Sequence, residues 1–174
     1  MAILTAIALI IFIIEAQIPL PIPTPGVKLG LANTITLFAL FYGAGKQEKQ
    51  GGVIPVASLG AINTFAILLC RIMLGAVFTG RPIVVIYSLT GGLLAFAAQV
   101  VMKRFVTKNQ IWVCGAVGAV FHNIGQILAA MVITGTPAIA AYLPVLIIAG
   151  IITGIITGLA AQFTLGRLSG ATKD

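Results

Sequence analysis

The chain has 174 residues, of which 60% are hydrophobic and 7% are charged, and it carries a formal net charge of +7. Soluble domains devote roughly a quarter of their residues to charged side chains, so this composition excludes an ordinary soluble protein. A mean hydropathy of +1.17 indicates an integral membrane protein. At ~20 residues per span, the length allows about six transmembrane helices in a single membrane domain covering residues 1–174.

Six apolar stretches follow one another along the chain and predict an all-α, polytopic membrane protein with six transmembrane helices. The predicted spans are residues 2–18, 31–45, 53–78, 83–102, 110–134 and 138–166. Residues 19–30 separate the first two spans and contain four alternating prolines. Because proline removes a backbone donor and fixes φ, this segment, which we call the lid, is expected to be extended and stiff.

Small residues recur at a spacing of four in the first and the sixth span. Ala2 and Ala6 form such a pair in the first span, and Gly150, Gly154 and Gly158 repeat in the sixth. In a membrane, small residues let two helices approach closely. For the alanine pair, packing within the protein and contact with a partner protein both fit this pattern.

The basic residues outside the spans divide unequally between the two sides of the membrane. Seven fall on the side of the chain termini, namely Lys46, Lys49, Lys103, Arg104, Lys108, Arg167 and Lys173, and two fall on the other side, Lys28 and Arg81. Cytoplasmic loops carry an excess of Lys and Arg, so both termini are expected in the cytoplasm and the lid outside. Lipid headgroups account for the positive charge, and nucleic-acid binding need not be invoked.

Polar residues gather in the lid, in the outer halves of the predicted spans and, for His122 and Asn123, near mid-membrane. They are Glu15, Lys28, Asn33, Arg71, His122, Asn123 and Gln126. Intramembrane polar groups are costly and usually functional, so together they predict a binding cavity that opens to the outside. The excess of cations favours an anionic or phosphorylated ligand, which the guanidinium of Arg71 is suited to grip.

Each of these residues also has a purely structural interpretation. His122, Asn123 and Gln126 can satisfy backbone carbonyls inside a helical bundle, and Lys28 can lie among lipid headgroups. Arg71 needs a counter-charge, because an unpaired guanidinium in hydrocarbon costs at least ~2.5 kcal/mol. An ion pair with Glu15, a ligand anion or a water-filled cavity each meets that need.

Three stretches carry a resemblance to a known family. They are PGVKLGLAN at 25–33, GAVFHNIGQ at 118–126 and YLPVLIIAGIITGIITG at 142–158. Across essentially its whole length the chain resembles the Gx transporter family, formerly labelled heptaprenyl diphosphate synthase component I. That family is similar in turn to the S components of energy-coupling factor (ECF) transporters.

The resemblance implies an S-component-like bundle in a bacterial cell membrane that captures a vitamin-like small molecule beneath the external lid. Such a subunit works with a coupling subunit and two ATPases, and Ala2 and Ala6 would contact the coupling subunit. Some relatives handle flavins, so a flavin is the first ligand to expect.

The older family label implies an alternative, a noncatalytic membrane partner of an isoprenoid (heptaprenyl) diphosphate synthase. Prenyl diphosphate synthesis uses clustered carboxylates to hold Mg²⁺. The chain's three carboxylate side chains, Glu15, Glu48 and Asp174, lie far apart, and no GxxxxGK[ST] motif is present. The two cysteines lack metal-ligand spacing. We therefore expect no catalytic residues, no metal site and no cofactor.

Overall fold

A computed structural model describes residues 2–18, 28, 30–45, 59–80 and 83–171. Within these ranges the chain forms six α-helices and two short 3-10 helices, and no strand occurs there. The α-helices are α1 (Ala2–Glu15), α2 (Asn33–Gly45), α3 (Leu59–Thr79), α4 (Ile83–Met102), α5 (Ile111–Thr134) and α6 (Leu143–Ala171), and the 3-10 helices are Lys108–Gln110 and Pro137–Tyr142. The predicted all-α class is confirmed.

Four helical segments are long and apolar enough to cross a bilayer. They are Gly60–Thr79, Ile83–Met102, Lys108–Thr134 and Pro137–Leu168. The apolar helices α1 and α2 have 14 and 13 residues, and at 1.5 Å per residue each covers about 20 Å of a hydrocarbon layer ~30 Å thick. The chain is therefore a multi-pass membrane protein, and six complete crossings stay a prediction.

The junction between the first two helices differs from the expectation. α1 ends at Glu15 and not at Ile18, and a turn follows in which Ile18 N donates to Glu15 O at 3.1 Å. Proline disfavours helical backbone in the residue before it, and Pro19 comes next. α2 begins at Asn33 and not at residue 31. Most of the lid, and residues 53–58 of the predicted third span, lie outside the described residues.

The sixth helix packs against α5 through glycine backbone. A Cβ at Gly154 would stand 2.6 Å from Ala116 Cα and 2.7 Å from Gly115 O, and one at Gly158 would stand 2.6 Å from Trp112 Cα. No side chain fits at such distances. The smooth face predicted for the sixth span is therefore the face that meets α5, where close approach replaces the hydrophobic drive that lipid cannot supply.

Apolar clusters lie toward both ends of the bundle. We call the end where α1 ends and α2 begins the lid end. Phe12, Ala32 and Val84 pack there, as do Tyr87, Ile127, Ile139 and Leu146, whereas Leu37, Ile111, Cys114 and Ala161 pack toward the other end. Buried polar residues from α1, α2, α3 and α5 therefore have an apolar surrounding, which strengthens every electrostatic interaction between them.

Candidate functional site

The carboxylate of Glu15 holds the start of α2. Its Oε1 accepts the backbone N–H of Gly30 and, at 3.1 Å, that of Leu31, and its Oε2 accepts Ala32 N at 3.4 Å. These N–H groups precede the first helical residue, Asn33, where a helix has unsatisfied donors and a partial positive charge. The side chain is 3% exposed, so its negative charge is stabilised largely by backbone donors.

Lys28 is fixed by two helices at once. Its backbone N–H donates to Gln126 Oε1 at 3.1 Å. Its ammonium lies 3.1 Å from the centroid of the Phe12 ring and contacts Phe12 O at 3.5 Å. A cation over an aromatic face in a desolvated setting is stabilised by about 2 kcal/mol. The structure thus places the end of the lid against both α1 and α5, and Lys28 is buried.

Gln126 determines which ring nitrogen of His122 carries the proton. Because Gln126 Oε1 accepts from Lys28, the amide nitrogen faces the imidazole, and Gln126 Nε2 lies 3.0 Å from His122 Nε2. An amide nitrogen only donates, so His122 Nε2 accepts and the ring proton is on Nδ1. The ring is neutral in this arrangement. Its Nδ1 faces α4, 2.8 Å from where a Cβ of Gly91 would stand.

Arg71 pairs with Asn33, not with Glu15. Its Nη2 donates to Asn33 Oδ1 at 3.3 Å, and both side chains are buried. In the described part of the chain no direct ion pair joins Arg71 to Glu15, although the two charges attract each other at longer range. The carboxylate oxygens of Glu15 already accept backbone N–H groups, which explains why the guanidinium turns to the amide.

The Arg71–Asn33 pair has buried N–H donors that are not used in hydrogen bonds. Among the described residues, neither Arg71 Nε nor Asn33 Nδ2 has a hydrogen-bond partner, and both atoms are buried. The bond from Arg71 directs the amide oxygen of Asn33 toward the guanidinium, so its nitrogen must point away. That nitrogen lies 3.2 Å from where a Cβ of Gly30 would stand. A buried donor without an acceptor costs about 1–3 kcal/mol, so these two atoms suit an incoming acceptor.

Three of the predicted site residues have other surroundings. Asn123 Nδ2 donates to Leu146 O at 2.6 Å and so faces α6. Ala2 and Ala6 lie on the exposed side of α1, far along the helix from Glu15. The structure therefore gathers six of the seven predicted polar residues at the lid end, whereas Asn123 is directed to another helix.

The sequence did not single out Phe12 or Gly30 as site residues. Phe12 lies beneath Lys28, and its ring occupies the space that a Cβ of Gly75 would need. Gly30 has φ +82° and separates the His122 ring from the Asn33 amide. The signal for Phe12 was its position three residues before Glu15, which puts both on one helical face. For Gly30 the signal in the sequence was a glycine beside a stretch of polar residues that are buried in the structure.

The comparison with protein families assigns the chain to a family. The model of the family described as heptaprenyl diphosphate synthase component I matches residues 4–49 and 51–164. The chain belongs to this family. No curated protein and no solved structure matches it.

Membership of the heptaprenyl diphosphate synthase component I family confirms the resemblance found in the sequence. The matched ranges include Ala6 and all seven polar residues of the predicted site, and they exclude Ala2. The family description names a component, which is a word for part of a larger assembly. In this family member the component is a helical membrane protein.

Proposed function

We propose that this protein is the membrane-embedded substrate-binding subunit of an ECF-type micronutrient transporter. It captures an anionic, vitamin-like small molecule from the outside, with a flavin as the first candidate, and hands it on with a coupling subunit and ATPases. The protein itself performs no catalysis in this proposal, since its part is recognition of the ligand within the membrane.

The observation that carries the proposal is the buried polar cluster at the lid end. Four helices and the end of the lid contribute Glu15, Lys28, Asn33, Arg71 and Gln126 to one region. Polar groups at membrane depth are expected to serve a ligand or an ion. Two cations, together with buried donors that have no partner among the described residues, favour a ligand that brings acceptors and negative charge.

The exposed face of α1 supports the proposed contact with a coupling subunit. Ala2 and Ala6 share that face with Ile3, Ile7 and Ile10. Small side chains between larger apolar ones let a second membrane helix approach closely. Our proposal assigns this face to the coupling subunit, as the resemblance to S components implies.

The test begins with mass spectrometry of small molecules released from gently purified protein. A recurrent vitamin-like compound would then be titrated against the wild-type protein and Arg71→Ala. We expect saturable binding that Arg71→Ala abolishes, while Ala6→Trp preserves binding and blocks uptake with the coupling complex. Equal loss of binding in both variants would contradict the separation of the two faces.

The family description favours a second candidate, a noncatalytic membrane partner of a heptaprenyl diphosphate synthase. In that case the protein should copurify with a soluble prenyl synthase and should carry prenyl lipid and no vitamin-like compound. Arg71→Ala would then weaken the association with the synthase or its diphosphate product. Copurification measured from the same membranes distinguishes the two candidates.

A further inference from the structure

We propose that Thr36 and Gln99, which we call the inner polar layer, form a second binding subsite that takes the uncharged amide or imide edge of a ligand. This inference rests on the proposed function and adds two residues to its binding site. Neither residue belongs to the polar cluster at the lid end. The subsite is inferred from the depth of the two side chains, from their unused hydrogen-bonding atoms and from the charges around them.

The two residues lie at the same depth on neighbouring helices that run in the same direction. α2 begins at the lid end, and so does α4, whose first turn packs there. Further along both helices, Lys103 Nζ of α4 donates to Leu40 O of α2 at 3.0 Å. Gln99 and Thr36 come one helical turn before these two residues. At a rise of 1.5 Å per residue, the inner polar layer lies about 5 Å deeper than Asn33.

A glycine of α5 fixes the side-chain amide of Gln99. Gly118 leaves room for this amide, because a Cβ there would overlap Gln99 Nε2 and stand 2.8 Å from Gln99 Cδ. The amide nitrogen therefore lies against the backbone of α5, and the amide oxygen is directed away from it. Cys114, one turn deeper on α5, donates to Gln99 O at 3.5 Å. Gln99 is thus held by α5, while its Oε1 is available to a group between the helices.

Both side chains of the layer are buried, and each has a polar atom that makes no hydrogen bond within the described part of the chain. These atoms are Gln99 Oε1 and Thr36 Oγ1. An amide oxygen only accepts, so Gln99 Oε1 needs a group that brings an N–H or an O–H. The Thr36 hydroxyl and the Gln99 amide nitrogen can donate to an acceptor beside it. An amide or imide edge has a donor next to an acceptor, and a glutamine amide pairs with such an edge through two hydrogen bonds.

The inner polar layer is unsuited to ions of either sign. A carboxylate or a fully ionised phosphate has no donor for Gln99 Oε1. A metal cation would meet two neutral oxygens here, with Arg71 nearer the lid end and Lys103 one turn deeper. The layer therefore favours an uncharged part of a ligand, whose anionic part remains with the cations at the lid end.

The test uses two flavins that differ in one hydrogen-bond donor. Flavin mononucleotide has an imide N–H between two carbonyl groups, and its 3-methyl analogue has a methyl group in place of that hydrogen. Both carry the same phosphate, so the cations at the lid end contribute equally to both. Each is titrated against the detergent-purified full-length protein, and binding is followed by flavin fluorescence. We expect the 3-methyl analogue to bind at least roughly tenfold more weakly, because it leaves Gln99 Oε1 without a donor.

Two glutamine variants separate the layer from the rest of the bundle. Gln99→Leu should weaken the binding of flavin mononucleotide at least roughly tenfold and remove the difference between the two flavins. Gln162→Leu is the matched control, because Gln162 lies on α6 and its Oε1 accepts Trp112 N at 3.4 Å. It should change neither affinity. Thr36→Val keeps the shape of the side chain without its hydroxyl and should also weaken flavin mononucleotide.

Stability without ligand distinguishes a binding role from a structural one. Removal of a buried polar atom that has no partner does not destabilise a protein, so Gln99→Leu and Thr36→Val should keep or raise the SDS unfolding midpoint. Side chains that hold the helices together through hydrogen bonds, directly or through a buried water, would lower this midpoint when replaced. The measurement needs no ligand.

Several results would overturn the inference. Equal affinities of the wild-type protein for the two flavins, or a difference that survives in Gln99→Leu, would show that the imide edge binds elsewhere. Lower SDS midpoints of Gln99→Leu and Thr36→Val with unchanged flavin binding would assign the layer to helix packing or to a bound water. Failure of flavin mononucleotide to bind the wild-type protein would exclude a flavin imide from this layer. The molecules released from the purified protein would then decide the proposed transport function separately.

Discussion

Replacing Gly154 by alanine tests whether glycine backbone contact holds α5 and α6 together. A Cβ there would stand 2.6 Å from Ala116 Cα, 2.7 Å from Gly115 O and 2.9 Å from Ala119 Cβ. None of these atoms can move without shifting the backbone of α5. Overpacking of this kind typically costs 1–3 kcal/mol, with alanine's better helix propensity returning up to ~1 kcal/mol.

Gly166 provides a matched control on the same helix, because a Cβ there has no neighbour within 4 Å. Gly166→Ala should keep the propensity gain and raise the free energy of unfolding by up to ~1 kcal/mol. We therefore expect Gly154→Ala to be less stable than Gly166→Ala by about 1–3 kcal/mol when both are unfolded by SDS in mixed micelles. Equal stability of the two variants would refute close backbone packing at this interface.

Three other predictions concern single side chains. Glu15→Gln replaces an anion that accepts three backbone N–H groups, so it should lower the free energy of unfolding by about 2–3 kcal/mol, and an unchanged SDS midpoint would contradict the assigned role. Gln126→Leu leaves the buried Lys28 N–H without its acceptor and should cost about 1–3 kcal/mol, while ¹⁵N NMR of the wild-type imidazole should show the Nδ1-protonated tautomer. Partial burial lowers the pKa of Lys103 from 10.5, against a smaller opposing effect of Cys114. The Lys103 amine therefore binds its proton more tightly in the unfolded chain than in the folded one. The free energy of unfolding should rise as the pH approaches 10.5 from below. Lys103→Gln should lack this increment, which is small because the side chain is half exposed.

Hydropathy predicted two of the long helices closely, whereas α6 begins at Leu143 and ends at Ala171 where a span over 138–166 was expected. The predicted span 83–102 coincides with α4, and the fifth span differs from α5 by one residue at its start. Such helices are defined by their own apolar residues. The end of α1 and the start of α2 were predicted less accurately, because they depend on the capping of Gly30, Leu31 and Ala32 by Glu15. A contact between separate segments leaves no local signal in the sequence.

The polar residues of the site could be chosen from the sequence, but their partners could not. His122 and Asn123 are neighbours in sequence and lie about 100° apart around a helix, so they face different elements. His122 meets Gly30 and Gly91, whereas Asn123 meets Leu146 of α6. When a helix is apolar on all sides, its hydrophobic pattern does not reveal which side faces which neighbour.

The role of Arg71 depends on which side chain it contacts, and not only on which polar residues the site contains. The sequence left open an ion pair with Glu15, which would have made the guanidinium a purely structural group. In the structure the carboxylate of Glu15 serves the start of α2, and Arg71 turns to Asn33. Asn33 is also the first residue of α2, so the side chain that orients the guanidinium is positioned by the helix that Glu15 caps. Glu15 therefore shapes the candidate site through the backbone, and its charge remains too far from Arg71 to occupy the donor that a ligand would use.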